Sequence, residues 1–307
     1  MHRSRGQVIL VAALGIAVTL VALALITNTA IYTENLATRE TVSGQDAIAF
    51  QQSMDAGATG LLALANRYNA TPNSEDHASI HDRFQADLDN LNAAAERESA
   101  RHGELATVSL VDTTNGTRIS QSETRNFTNA DGNESWTIAS DVEQIRRFEM
   151  NVTPNASTLT VIVSDGSGNE WTADVADGGT DSADVTLSNE SNSTTCTVAN
   201  ESAVVDLTQG TVGGQPCDGP AFGSNVDSPY DVSFRNGDAA DGRFVVFVDR
   251  DPGGVTTTQY PDTMSADAAI YDATIHVSVR QPDLTYETNV TVAPTESPEG
   301  DTYGIVP

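Results

Sequence analysis

The hydrophobic positions of the chain follow three periods in turn. Val8 to Thr27 is a run of twenty residues without a charge, which as a helix is about 30 Å long, the thickness of a hydrocarbon core. Between residues 47 and 95 the apolar positions recur every three or four residues, as in amphipathic helices. From Leu105 onward they alternate with polar positions, as in half-buried strands. The order predicts helices first and strands afterwards.

Two amphipathic helices are predicted between the apolar run and Gly103. Residues 71–73 (Thr-Pro-Asn) separate them, and Gly103 is a helix stop. Two such helices pack as an antiparallel hairpin or lay both apolar stripes against a sheet. The first stripe is Ala47, Phe50, Met54, Ala58, Leu61, Ala65 and Tyr68, and the second is Ile80, Phe84, Leu88, Leu91 and Ala95.

The rest of the chain predicts an antiparallel sheet or sandwich, because short alternating segments are separated by Gly, Asn and Asp turns. The predicted strands are 105–112, 117–122, 145–153, 158–164, 170–175, 184–188, 194–198, 203–207, 231–235, 243–248, 270–280 and 284–292. The last two flank Pro282-Asp283, and a two-residue turn there places Val279 opposite Tyr286 and Val277 opposite Thr288. In residues 145–153 the alternation assigns Arg147, Glu149 and Asn151 to a water-facing side.

These patterns predict an α+β protein in which an N-terminal transmembrane helix continues into an amphipathic helix or helical hairpin, followed by an antiparallel β-rich extracellular head. The predicted segments are a cytoplasmic basic leader (1–6), a transmembrane helix (7–29), an extracellular helical hairpin or stalk (30–103), a glycosylated β-rich head (104–295) and a flexible tail (296–307).

Flanking charges orient the apolar segment. Arg3 and Arg5 precede it, and the first charge after it is Glu34. Since an excess of cations stays in the cytoplasm, we expect a single-pass protein of the cell membrane with a cytoplasmic N-terminus and an extracellular C-terminal domain. Membrane lipid is therefore one expected partner, bound through the N-terminal helix.

The residues before the apolar run are Arg5-Gly6-Gln7-Val8. They resemble the class III signal peptide of archaeal type IV pilins and pilin-like proteins, in which a prepilin peptidase cuts after the Gly and leaves the helix attached. The resemblance implies a processing site between Gly6 and Gln7, with prepilin peptidase and pilin-like subunits as partners. Pilins commonly carry a carboxylate a few residues into the mature helix, and Val8 to Thr27 has none, which disfavours a major filament subunit.

Two alternatives to pilin-like processing remain open. The first is an ordinary anchor that is never cleaved. The second is a removed signal peptide, which needs an apolar core of about 7 to 15 residues and a small-residue cleavage site. The apolar run is longer than that, and residues 27–30 (Thr-Asn-Thr-Ala) match such a site poorly.

Charge composition indicates the solvent. The chain has 43 acidic and 15 basic residues, a formal net charge of −28, and every basic residue is Arg. Such a chain repels itself in dilute salt, but at 1 M salt the Debye length falls to about 3 Å. The composition resembles that of extremely halophilic archaea. It argues against nucleic-acid binding, because neutralising phosphates needs clustered cations.

Ten Asn-x-Ser/Thr triplets lie after the apolar segment, on the side where glycosylation occurs. The glycosylation candidates are Asn69, Asn115, Asn126, Asn133, Asn151, Asn155, Asn189, Asn192, Asn200 and Asn289.

Cys196 and Cys217 are the only two cysteines. Outside the cell a disulfide persists, and closing a loop of this size stabilises the fold by about 3 kcal/mol in the chain-entropy model. We therefore predict a disulfide between them.

Catalytic and metal-binding patterns are weak. His77 and His81 lie four residues apart, but a zincin helix needs Glu at position 78, where Ala78 stands. The Asp- and Gly-rich stretches 131–134 and 249–254 lack the full spacing of a calcium loop. Hydrolase and phosphate-binding motifs were not found. We therefore predict no catalytic residue, no metal and no cofactor.

The sequence leaves three functional hypotheses. The first is a non-enzymatic, membrane-anchored cell-surface or structural protein of an extreme halophile, resembling haloarchaeal pilin-like proteins. The second is a minor pilin or pseudopilin subunit of a type IV pilus-like filament or secretion system. The third is an envelope enzyme or solute-binding module that uses the β-rich head.

Overall fold

A computed structural model describes residues 44–67, 76–155, 157–255 and 257–294. Helix α1 covers residues 44–67 and helix α2 covers His77–Arg101. The strands are β1 Leu105–Asn126, β2 Trp136–Val142, β3 Ile145–Pro154, β4 Leu159–Ser164, β5 Glu170–Gly179, β6 Ser182–Asn189, β7 Ser193–Val198, β8 Ala203–Asp206, β9 Thr211–Val212, β10 Gln215–Pro216, β11 Tyr230–Arg235, β12 Ala240–Val248, β13 Met264–Gln281 and β14 Leu284–Val292. Short 3-10 helices cover Gly237–Ala239, Pro252–Gly254 and Thr257–Gln259.

The predicted α+β class is wrong, since strands account for 50% of the structure and helices for 24%. The β-rich expectation fits the head alone. The physical reason is that β1 and β13 extend beneath α1 and α2, so the helices cover a sheet instead of forming a stalk of their own. Within the described residues, no helix is both long enough and apolar enough to cross a membrane. The predicted leader, transmembrane segment and tail (1–6, 7–29 and 296–307) lie outside those residues.

The strands form two antiparallel sheets. The eight-stranded sheet has the order β10-β9-β8-β3-β12-β1-β13-β14, and the six-stranded sheet has the order β2-β11-β4-β5-β6-β7. Buried side chains from both sheets share one core, as in a β-sandwich. The chain therefore crosses repeatedly between two packed layers.

Aromatic rings fill the space between the sheets. Phe244 of β12 lies 5.3 Å, between ring centroids, from Phe234 of β11 in the opposite sheet. Phe127 lies 5.1 Å from Phe234, and Phe148 of β3 lies 6.2 Å from Phe244. Such tilted and edge-on pairs contribute about 0.5–1.5 kcal/mol each beyond the area that they bury. Trp171 of β5 is also fully buried in this core.

The far end of the eight-stranded sheet is covered by helices. Here residues 105–115 of β1, residues 270–281 of β13 and all of β14 form three strands, and we call these strands together with α1 and α2 the helix-backed end. The apolar stripes of both helices are buried against them, including Leu62, Phe84 and Leu88. On β13, Ala266 belongs to the sandwich core and Ala268 to the helix core. Because residues two apart on a strand share a face, both cores lie on the same face of the sheet.

One 22-residue strand, β1, replaces the two strands predicted at 105–112 and 117–122. The Asp, Asn and Gly residues between them suggested a turn. Instead, the pairing of β1 with β13 shifts register twice, between Leu110 and Asp112 and between Thr114 and Asn115. These irregularities absorb the turn-forming residues without ending the strand. At Gly116 a Cβ atom would lie 2.6 Å from the Val248 carbonyl oxygen, so the close strand approach requires glycine.

Side-chain amides attach the two helices to the sheet. The buried Asn66 of α1 donates from Nδ2 to the Ile270 carbonyl (2.9 Å), and its Oδ1 accepts from the Ile270 N–H (2.8 Å). From α2, Asn92 Oδ1 accepts from the Val108 N–H at 2.8 Å. Both amides satisfy backbone groups of the sheet next to the apolar stripes, as burial requires.

The C-terminal hairpin confirms the predicted register. Val279 pairs with Tyr286, Val277 with Thr288 and Ile275 with Val290. β13 ends at Gln281 and β14 begins at Leu284, so Pro282 and Asp283 form the predicted two-residue turn.

Candidate functional site

Charged side chains are buried on the outer face of the eight-stranded sheet, the face away from both cores. Arg147 of β3 pairs with Phe247 of β12, Phe247 with Arg118 of β1, and Arg118 with Asp267 of β13, so one row crosses four strands. The Arg118 guanidinium lies 3.1 Å from Asp267, and these side chains are 10% and 4% exposed. The Arg147 guanidinium lies 2.6 Å from Glu149, at 7% and 4% exposed.

The prediction that Arg147 and Glu149 face water is therefore wrong, and Asn151 beside them is half-buried. Alternation along a strand separates two faces but does not say whether the second face is covered. A buried charge needs a hydrogen-bonded partner. The spacing Arg147-x-Glu149 on one face was the signal available in the sequence for such a pair.

Arg146 lies next to this row. Its guanidinium carbon is 4.6 Å from the centroid of the Phe247 ring and 5.4 Å from that of Tyr271. One of its nitrogens donates to the Ile270 and Tyr271 carbonyls. Burial raises the pKa of Tyr271 above its ordinary range. The Arg118–Asp267 ion pair joins β1 to β13, and Arg146 joins β3 to β12 and β13. Arg147 and Glu149, in contrast, pair within β3.

The predicted disulfide is confirmed between Cys196 and Cys217. Cys196 lies in β7, the last strand of the six-stranded sheet, and Cys217 directly follows β10, the last strand of the eight-stranded sheet. Cys217 is buried, and both residues pack against the sandwich core. The bond therefore joins the two sheets along one side of the sandwich.

The glycosylation candidates differ in exposure. Six are exposed: Asn115, Asn133, Asn155, Asn192, Asn200 and Asn289. Asn126, Asn151 and Asn189 are half-buried, and Asn69 lies outside the described residues, as do Gly6 and Gln7 of the predicted processing site. The amide of Asn189 donates to Ser224 (3.0 Å) and accepts from two backbone N–H groups, while Asn126 Oδ1 accepts from the buried Thr128. The structure therefore favours the six exposed amides as acceptors.

The two histidines that suggested a metal helix have different surroundings. His77 Nε2 lies 2.9 Å from the Gly116 carbonyl, and His77 Nδ1 lies 3.7 Å from Asp251. His81 Nδ1 lies 3.9 Å from the carboxylate of its neighbour Asp82. His77 thus links the start of α2 to β1 and to the loop after β12.

The outer surface of the helix-backed end was not predicted as a candidate site, because its residues are scattered over three strands and form no sequence motif. Its cross-strand rows combine Leu105, Arg280 and Thr285; Thr107, Ser278 and Glu287; Ser109, His276 and Asn289. Glu287 is the only acidic residue in these three rows, and its carboxylate accepts from Arg280 at 2.7 Å. This hydrogen bond and the Arg280 charge lower the pKa of Glu287. Leu105 and the nearby Val111 are 69% and 53% exposed, so the surface is partly apolar.

Comparison with known protein families identified a match. The model of the family of unknown function DUF7261 matches residues 2–159, just over half of the chain. The match includes α1, α2 and β1 to β3, and ends as β4 begins. No curated protein and no solved structure matches the chain. The chain belongs to the family of unknown function DUF7261.

Proposed function

We propose that this chain is a non-enzymatic surface protein of a halophilic cell. Residues 8–27 hold it in the membrane, and the helix-backed end and the sandwich are exposed outside. The observation that carries the proposal is the Cys196–Cys217 disulfide. It uses both cysteines of the chain, and disulfides persist in oxidising surroundings outside the cytoplasm.

The position of the disulfide adds to this argument. β7 and β10 are the outermost strands of their sheets, so the bond acts where the sandwich would otherwise open. A head that carries the chain's high negative charge gains from such a link, because self-repulsion destabilises a compact acidic chain whenever salt falls. A surface protein meets changes of external salt directly.

The exposed Asn-x-Ser/Thr triplets also support an extracellular position for the helix-backed end and the sandwich. Asn133, Asn192 and Asn200 are exposed in turns between strands. A sugar attached there would extend into water without displacing any part of the core. The finer proposal is that a prepilin peptidase removes residues 1–6, which rests on Arg5-Gly6-Gln7-Val8.

Labelling of single added cysteines on intact cells tests the proposed orientation. Asn133→Cys places a thiol in an exposed turn, and Ser4→Cys is the matched variant on the expected cytoplasmic side. With a membrane-impermeant maleimide, we expect Asn133→Cys to react on intact cells. Ser4→Cys should react only after lysis, or be lost with the leader.

Two controls complete this experiment. Membranes from lysed cells should contain the chain, and deleting residues 8–27 should release it. Labelling of Asn133→Cys only after lysis, or recovery of the unaltered chain in the soluble fraction, would contradict the proposal.

A further inference from the structure

The four outermost strands of the two sheets are protected to different degrees. Sheet edges offer unpaired N–H and C=O groups, so proteins shorten them, interrupt them or place proline or charge there. β10 has two residues, including Pro216. The pairing of β2 with β11 shifts register twice. β7 carries Cys196 of the disulfide. Three of the four edges thus have a recognisable protection.

The fourth edge strand, β14, lacks the short length, the proline, the register shifts and the disulfide, and its single charge, Glu287, is bound to Arg280 of the neighbouring strand. It is nine residues long, contains no proline and pairs with β13 without any register shift. In the part of the chain that the structure describes, no strand pairs with β14 on the side away from β13. Its sequence, LTYETNVTV, is rich in β-branched and aromatic residues, which favour strand pairing.

The direction of the edge groups follows from one hydrogen bond. The Val108 N–H bonds Asn92 of α2, so it points away from β13. In antiparallel strands both polar groups of a residue point to one side, and the side alternates along the strand. Val277, opposite Val108, therefore bonds toward β14, and Thr288, opposite Val277, bonds back toward β13. Glu287 and Asn289 consequently direct their N–H and C=O groups to the outer edge.

A second copy of β14 can pair with this edge in an antiparallel register centred on Thr288. A twofold axis through Thr288 places Glu287 opposite Asn289 of the other copy, so both outward-directed residues form hydrogen-bonded pairs. The same register places Tyr286 opposite Val290, and β-branched with aromatic pairs stabilise sheets. An axis through Glu287 would instead set the two carboxylates against each other.

Charge and exposed apolar surface favour the same partner. Two chains that each carry −28 repel wherever their acids meet, but β14 has a single carboxylate, which is bound to Arg280. Helix α1 lies beside this strand, since the Tyr286 hydroxyl donates to Gln51. Ile48, three residues earlier on the same side of α1, is 50% exposed. Pairing at β14 would bring this side chain toward the second copy.

We propose that β14 is a dimerisation edge, at which two copies of the chain join their eight-stranded sheets in the register centred on Thr288. The interface consists of the two β14 strands with the α1 helices above them. This proposal does not depend on the membrane anchor or on the side of the membrane.

Site-specific crosslinking of the full-length chain tests the register. On the twofold axis the two copies of residue 288 form a non-hydrogen-bonded pair with Cα atoms about 4.5 Å apart, a distance that suits a disulfide. Thr288→Cys should therefore oxidise to a covalent dimer, with its mass doubled on a non-reducing gel. Peptide mass analysis should locate the bond between the two copies of residue 288.

Thr285→Cys is the matched control. Residue 285 is on the same strand and more exposed than Thr288, but in this register it faces Thr291 of the other copy, so Thr285→Cys alone should remain monomeric. Circular dichroism and the intact Cys196–Cys217 bond would verify that both variants are folded. A folded Thr288→Cys chain that stays monomeric, or equal dimer yields from the two variants, would overturn the proposal.

Discussion

The sandwich and the helix-backed end bury the same face of one sheet with different kinds of side chain. Between the two sheets the buried side chains include six aromatic rings, and Phe127, Phe234 and Phe244 are in mutual contact. Under the helices they are mostly aliphatic, and Phe84 is the one aromatic ring among the fully buried side chains described there. Two sheets lie about 10 Å apart, and rings fill that gap, whereas the side chains of a helix already project into the groove between strands.

The two regions nevertheless share two strands. β1 and β13 pass from the helix-backed end into the sandwich, and the register shifts in their pairing, at residues 110–115 of β1, lie at the passage. If β1 and β13 unfolded in one region, buried side chains of the other region would become exposed. We therefore expect the sandwich and the helix-backed end to unfold as one cooperative unit.

The largest expected effect tests whether the sandwich and the helix-backed end unfold together or independently. Phe244→Ala in the sandwich and Phe84→Ala under the helices should each lower the free energy of unfolding by about 3–5 kcal/mol. Both tryptophans lie in the sandwich and both described helices lie at the other end. Tryptophan fluorescence and circular dichroism at 222 nm during urea unfolding in molar salt therefore report on the two regions separately.

The two probes should give coincident transitions for both variants. A shift of the circular dichroism transition alone in Phe84→Ala, with fluorescence unchanged, would show that the helix-backed end unfolds independently.

Removing the disulfide should destabilise the whole cooperative unit, although the bond itself lies in the sandwich. Replacing both Cys196 and Cys217 by Ala opens a loop with a sequence separation of 21. It should cost about 3 kcal/mol by the chain-entropy model. The same urea titration measures this loss, and a chain unchanged in its midpoint would contradict the role assigned to the bond.

Asn66→Ala perturbs the attachment of α1 to the sheet. It removes both hydrogen bonds to Ile270, and each buried group left unsatisfied costs about 1–3 kcal/mol. Ser53→Ala, at an exposed position of the same helix, is the control and should change stability by less than about 0.5 kcal/mol. Protection of the Ile270 amide from hydrogen exchange should fall in Asn66→Ala alone.

The smallest effect concerns the ion pair of Glu287 with Arg280 on the outer surface of the helix-backed end. The pKa of Glu287 is lowered by its hydrogen bond and charge interaction with Arg280, so Arg280→Gln should raise it toward the ordinary glutamate value. A carboxyl with a depressed pKa stabilises the fold above its unfolded pKa, and this contribution is lost as the pH falls through the folded pKa. NMR titration of the Glu287 side chain checks the direction, and an unchanged pKa in Arg280→Gln would contradict the pairing.

The sequence predicts the local patterns well where one rule decides the outcome. The C-terminal hairpin was predictable because period two and a two-residue turn together fix its register. The disulfide was predictable because the chain offers one pair of cysteines. Helix periods likewise indicated the buried positions Phe84 and Leu88.

Features that depend on contacts between distant parts of the sequence were less predictable. β2 was not predicted, since its sequence WTIASDV alternates poorly and packs Ile138 and Ala139 side by side in the core. The union of two predicted strands in β1 depends on partners more than a hundred residues away in β12 and β13. The buried pairing of Arg147 with Glu149 depends on whether the second sheet face is covered, which periodicity does not encode.

The mass of the N-terminal peptide of the chain, purified from membranes of a halophilic host, tests the central claim of a retained membrane anchor most directly. We expect a peptide that begins at Gln7 and still contains residues 8–27. A chain that begins at Met1 would show that residues 1–6 are not removed, and the membrane anchor would still be present. A chain that begins beyond Thr27 would contradict the account, because nothing would then remain of the segment proposed to hold it in the membrane.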